Sequence, residues 1–100
     1  MYSVVWKYIV EKENQKEFEK EYGDHGTWAK LFRNSKNYVG SFLKKSIEIN
    51  DTYLLTDTWT EKKQYEIFMK EYQKIYDELS SEFEILYKKE EKIGEFKSVN

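Results

Sequence analysis

Tyr2-Ser3-Val4-Val5-Trp6-Lys7-Tyr8-Ile9-Val10 is the stretch that decides the fold. In a strand, alternation puts Tyr2, Val4, Trp6, Tyr8 and Val10 on one face, with Val5 and Ile9 on the other beside Ser3 and Lys7. A strand with one face in water is polar on that side, and this one is apolar enough on both to be covered twice. A chain of 100 residues has helix enough to cover only one face of a sheet. The other face needs a further layer, and the simplest source is a second copy of the chain.

Composition narrows the class. With 39% hydrophobic and 36% charged residues, residues 1–100 read as one globular domain rather than a disordered chain. A net charge of −2 gives no electrostatic footprint for nucleic acid or for an acidic membrane surface. No cysteine is present, which excludes disulfides, thiol nucleophiles and zinc–thiolate sites. The opening residues lack the basic start and apolar core of a signal peptide, and no apolar run approaches a membrane span. A cytoplasmic location is the expectation. Aromatics reach 18%, which serves either a small core or a pocket for a flat ligand.

Along the chain, the charged segment Glu11–Glu17 leads to Phe18 and Tyr22, four apart on one helical face. Gly23 is a helix stop by its tolerance of the left-handed conformation, and Asp24 is placed to cap a second, short helix carrying Trp28, Leu31 and Phe32. Asn34–Asn37 reads as a polar turn and Tyr38–Ile47 as a second strand, with Tyr38, Gly40 and Phe42 sharing a face. Glu48–Asp51 joins it to a third strand, Tyr53–Trp59, on which Tyr53, Leu55, Asp57 and Trp59 share a face. Thr60 is the expected N-cap of a long apolar seam, Tyr65, Phe68, Tyr72, Ile75, Tyr76, Leu79 and Phe83, in one helix or in two joined near residue 70. Ile85–Tyr87 is expected to begin a fourth strand, with Lys88–Lys92 its solvated part.

Strand, helix, strand, strand, helix, strand is the ferredoxin-like split βαβ order, an α+β fold with helices on one face of an antiparallel sheet. Such a sheet can serve as an RNA-recognition module, and Trp6, Tyr8, Tyr53 and Trp59 could stack bases. The third strand lacks the basic-glycine-aromatic signature of that module, and the acidic balance argues against phosphate binding. The other use of the bare face is to pair two sheets in a homodimeric α/β barrel.

Tyr22-Gly23, Gly26-Thr27-Trp28-Ala29, Leu31-Phe32, Tyr38-Val39-Gly40, Asp57-Thr58-Trp59, Tyr65, Phe68 and Ile93-Gly94-Glu95-Phe96, in this order and spacing, resemble the antibiotic-biosynthesis-monooxygenase-like proteins of the dimeric α/β-barrel superfamily. The resemblance spans nearly the whole chain. It implies a cleft between the helices and the sheet, with Trp59, Tyr65, Phe68, Tyr72 and Trp28 binding a small hydrophobic ligand. It also implies oxygenation of a cyclic or aromatic substrate with no cofactor and no metal, the substrate itself supplying electrons to dioxygen. The haem-degrading branch uses an Asn on the first strand and a His on the helix after the third, and this chain has neither. A non-catalytic ligand-binding or stress-response protein on the same barrel is the alternative.

Two residues could handle the proton. Asp57 shares its strand face with aromatics and must be paired, hydrogen-bonded or wet; a salt bridge to a neighbouring lysine would make it structural. His25 is the only histidine, and an imidazole's ordinary pKa of about 6.5 suits proton transfer, although its setting beside Gly26 also suits a solvent-facing ring. Arg33 could clamp an anion or close a helix C-terminus.

Overall fold

The computed structural model describes residues 1–99. Its elements are β1 (Tyr2–Ile9), α1 (Lys12–Tyr22), α2 (Thr27–Phe32), β2 (Tyr38–Lys45), β3 (Thr52–Trp59), α3 (Lys62–Glu71), α4 (Gln73–Phe83) and β4 (Lys89–Lys97). The strands form one sheet in the order β2-β3-β1-β4, every neighbouring pair antiparallel. This is the ferredoxin-like α+β arrangement expected from the element order. Among the described residues, no helix is long and apolar enough to cross a membrane.

Register sorts the sheet into two faces. The helix-covered face carries Tyr2, Val4, Trp6 and Tyr8 of β1 opposite Trp59, Asp57, Leu55 and Tyr53 of β3. Most of these side chains are buried, together with Phe18 and Tyr22 of α1, Trp28 and Phe32 of α2, Phe68 of α3 and Phe83 of α4. The opposite face carries Val5, Ile9 and Leu54, together with Phe42 and Phe96. No helix covers it, and Phe42 and Phe96 are each about half exposed, at 53% and 51%.

Several local expectations are corrected. A register irregularity between Tyr38 and Gly40 turns Tyr38 to the helix side, opposite Trp59, while Phe42 stays on the bare face. Strict alternation cannot anticipate a bulge, which inserts a residue and reverses the facing of what precedes it. Gly23 does close α1, but at φ −73° rather than in the left-handed region. What demands glycine there is space, since a Cβ would stand 2.7 Å from the Glu19 carbonyl oxygen. Neither Asp24 nor Thr60 caps a helix. The cap positions belong to Gly26 and Glu61, neither of which makes a side-chain capping bond. The long seam takes the two-helix form of the expectation, with the join at Tyr72 (φ −106°, ψ 17°). Residues Glu84–Leu86 form a 3₁₀ turn, so β4 begins at Lys89 rather than at Ile85. Leu86 is thereby buried against the core while Ile85 is left in water. The second strand likewise ends at Lys45, short of Ile47, which is fully exposed.

Candidate functional site

The covered face is an aromatic layer with two different ends. At one end Trp59 is fully buried. Its indole lies 5.1–5.5 Å, centroid to centroid, from Phe32, Tyr38, Tyr65 and Phe68, mostly edge-to-face. Tyr72 stacks on Phe68 at 4.4 Å. These rings pack on one another, as aromatic quadrupoles favour, and a groove of about 220 Å³ runs along their outer side past Phe68 and Tyr72. Of the residues expected around a cleft here, Trp59 and Phe68 are buried, while Tyr65 and Tyr72 are half-buried.

At the other end the rings surround a polar group. Asp57 follows from the hairpin register: its neighbours across the sheet are Ser41 of β2 and Val4 of β1. Asp57 is only 7% exposed and Ser41 only 2%. The Ser41 hydroxyl donates to Asp57 Oδ1 at 2.6 Å. No cation answers the carboxylate, for no ion pair to Asp57 exists among the described residues. Burial pushes its pKa up from 3.8 to about 6, and the Ser41 hydrogen bond only partly opposes this.

Asp57 borders a small space of about 20 Å³, walled mainly by Trp6, Tyr8, Tyr22, Trp28, Tyr76 and Tyr87, with Ser80, Glu90, Leu55 and the Phe32 that also packs on Trp59. That volume suits about one water molecule. The Tyr8 hydroxyl donates to Glu90 Oε2 at 2.7 Å. Trp28 is buried, and its Nε1–H, close to the Tyr22 phenol, makes no well-formed hydrogen bond. Burial lifts the pKa values of Tyr8, Tyr22 and Tyr76 above the usual phenol range, so these hydroxyls keep their protons.

The structure therefore separates the residues singled out in the sequence. Asp57 and Trp28 share one chamber, whereas Trp59, Tyr65, Phe68 and Tyr72 form the packed end of the layer. His25 belongs to neither. Its side chain is 86% exposed, with Nε2 3.8 Å from Asp24 Oδ2. The Arg33 guanidinium donates to the Asp24 carbonyl at 2.6 Å, tying the end of α2 to the loop that precedes it. Among the described residues no cluster of three or more His, Asp or Glu side chains is placed to hold a metal ion.

Sequence reasoning missed Ser41 and, as chamber walls, Trp6, Tyr8, Tyr22, Tyr76 and Glu90. Ser41 was open to discovery: counting back from the hairpin pairs Lys45 with Tyr53, Leu43 with Leu55 and Ser41 with Asp57. Tyr76 and Tyr87 carried no such signal, because the helix break at Tyr72 and the 3₁₀ turn set their directions.

No family model matches the chain, and no curated protein does. Solved structures match over its full length. SnoaB, a cofactor-independent oxygenase from Streptomyces nogalater, superposes with a TM-score of 0.70 at 16% identity, over 99% of this chain and 93% of that one. A protein from Deinococcus radiodurans, provisionally assigned as an antibiotic biosynthesis monooxygenase, gives 0.74 at 8% identity, over 100% and 94%. A similarly assigned protein from Nitrosomonas europaea gives 0.67 at 8% identity, with both chains covered completely. The chain has the fold of the antibiotic-biosynthesis-monooxygenase-like proteins; at these identities the likeness speaks for the fold alone.

Proposed function

We propose that this antibiotic-biosynthesis-monooxygenase-like fold serves here as a cofactor-independent monooxygenase for a hydrophobic cyclic or aromatic small molecule, with Asp57 as the proton acceptor. The observation that carries the reading is a buried carboxylate with no cation, facing a chamber of aromatic rings, its pKa lifted to about 6. A base poised near neutrality is what abstraction of a phenolic or activated C–H proton requires. The substrate anion would add to dioxygen and give it two electrons, forming a substrate hydroperoxide. Loss of water from that hydroperoxide would draw two further electrons from the same carbon, so that a methylene becomes a carbonyl. One oxygen atom would enter the substrate and the other would leave as water, with the rings excluding bulk solvent from the intermediate. Trp28 would orient the substrate oxygen through its unpartnered N–H. Trp28 and Tyr76 are the walls that must swing outward on entry, since the closed space admits only about one water molecule. No role falls to His25.

The assembly belongs to the same proposal. Val5, Ile9, Phe42, Leu54 and Phe96 make an apolar row on the helix-free face, and pairing two such faces completes an α/β barrel. An interface of about 2,000 Å² in total is expected, so light scattering should return a dimer; a monomer at micromolar concentration overturns this part.

The packed Trp59 end favours a second reading, a non-catalytic small-ligand-binding or stress-response protein. Oxygen uptake with a panel of hydroquinones and anthrones decides between them. Protein-dependent uptake that disappears in Asp57→Asn supports the oxygenase. Saturable quenching of tryptophan fluorescence without uptake supports the binder.

A further inference from the structure

Asp57 lies between a small chamber of aromatic rings and a short chain of hydroxyls. Its chamber is closed, and among the described residues none of the groups that face Asp57 across it hydrogen-bonds the carboxylate, which Ser41 alone does. Tyr8 of β1, Tyr22 of α1 and Tyr76 of α4 are phenols that burial keeps protonated, Glu90 of β4 is engaged by Tyr8, and Tyr65 of α3 stands with Trp59 at the packed end. Trp28 of α2 has only an indole N–H to offer. A base that takes a proton from substrate in this setting needs an exit for it.

The opposite side of Asp57 provides one. Ser41 Oγ donates to Asp57 Oδ1 at 2.6 Å and lies 2.5 Å from the Tyr38 hydroxyl. Ser41 has one proton, and the carboxylate takes it, so Tyr38 is the donor in the second bond. Tyr38 is half-buried, which raises its pKa, and it is close enough to Arg33 and Asp24 to feel both charges. Ser41 itself borders an open groove of about 500 Å³ between the end of α1 and β2, lined also by Glu19, Asp24 and Lys44.

We propose that Tyr38 and Ser41 form a proton relay that connects Asp57 to solvent on the β2 side of the molecule. The relay gives Asp57 a purpose-built exit if the oxygenase reading holds and rests on that reading only for its use. In the release direction, protonated Asp57 gives its proton to Ser41 Oγ, Ser41 passes its own to the Tyr38 oxygen, and Tyr38 releases one to water. Each hydroxyl oxygen loses one proton and gains one, and no electrons move. Recharging runs the same steps backwards. Ser41 also acts as a positioning residue, because its bond favours the ionised carboxylate.

The test uses the intact protein with its aspartates ¹³C-labelled at the carboxyl carbon, without substrate, and Asp57→Asn to assign the signal. In the unmodified protein the Asp57 resonance should titrate near pH 6. Ser41→Ala should raise that midpoint by about one to two pH units, the worth of a hydrogen bond to a charged group. Tyr38→Phe keeps the ring against Phe32 and Trp59 and should leave the midpoint within about half a unit, yet slow proton exchange at the carboxyl at least about tenfold. A structural role for Tyr38 would leave the exchange rate alone. An unchanged rate in Tyr38→Phe, or an unchanged midpoint in Ser41→Ala, overturns the relay. Should Ser41→Ala fail to fold, Tyr38→Phe decides by itself. Absence of oxygen uptake with every substrate would sink the oxygenase reading while leaving these measurements standing.

Discussion

The two ends of the aromatic layer are built from the same residue types and do opposite things. Each holds a buried tryptophan whose N–H has no partner. Around Trp59 the rings meet one another and pack closely. Around Trp28 they meet a carboxylate, a second carboxyl at Glu90 and a ring of phenols, and a small space remains. A buried charge without a cation is unfavourable, and proteins keep such an arrangement where it has a use. Aromatic content therefore does not mark the site; the polar group the aromatics enclose does.

The largest effect should come from the packed end. Trp59→Ala removes a fully buried indole and is expected to destabilise the protein by about 3–5 kcal/mol in urea unfolding. It should leave the Asp57 titration midpoint where it is. A loss below about 1 kcal/mol would mean that the Trp59 end collapses readily and is not the rigid half of the pair.

Asp57→Asn should act in the opposite direction. The folded state holds the Asp57 pKa near 6, above the unfolded value of 3.8, so between these values the folded chain binds the extra proton. Stability from this group is fullest below about pH 4 and falls as pH rises through 6. The shift corresponds to a penalty of about 3 kcal/mol at pH 7, which Asn avoids while still accepting from Ser41. The variant should be more stable than the parent at pH 7 and equal to it near pH 4. Glu95 has the other sign. The hydroxyl of Tyr2 and the ammonium of Lys62 hold it down at about 2, and its contribution is lost as pH falls toward that value. A parent whose stability does not decline between pH 4 and 6 would place Asp57 in water.

The sheet order and the doubly apolar first strand were legible because alternation and element order are local patterns. The inward face of β1 and β3 was legible down to single residues, Asp57 included. Tyr38 was not, because a bulge between Tyr38 and Gly40 reverses its facing. Helical spacing correctly put Tyr65, Phe68 and Tyr72 on one stripe, yet spacing does not tell whether a stripe closes on itself or lines an opening. Trp28 and Tyr76 meet at 4.9 Å only because α2 and α4, distant in sequence, converge over Asp57.

A gentler pair of substitutions sharpens the same contrast. Trp28→Phe and Trp59→Phe each delete an unpartnered N–H and keep most of the ring. Each should change stability by about 1 kcal/mol or less, because the lost surface is partly offset by removing a desolvated donor. Function should separate them: Trp28→Phe should weaken turnover or ligand quenching, and Trp59→Phe should not. Equal losses from both would mean that the two ends work as one site.

The smallest expected effect is also the one that settles which group takes the proton. A pH–rate profile does not by itself name the group behind it, and His25 is, with Asp57, one of the two side chains proposed from the sequence to handle the proton. Their settings differ completely: one ring stands in solvent beside Asp24, while the other group is enclosed by rings and held by Ser41. His25→Ala should therefore alter stability by no more than about 0.5 kcal/mol, as exposed positions do. The midpoint of the profile should stay in place. If it moves or vanishes, the working proton belongs to the exposed loop before α2, and the buried carboxylate is only a strained part of the core.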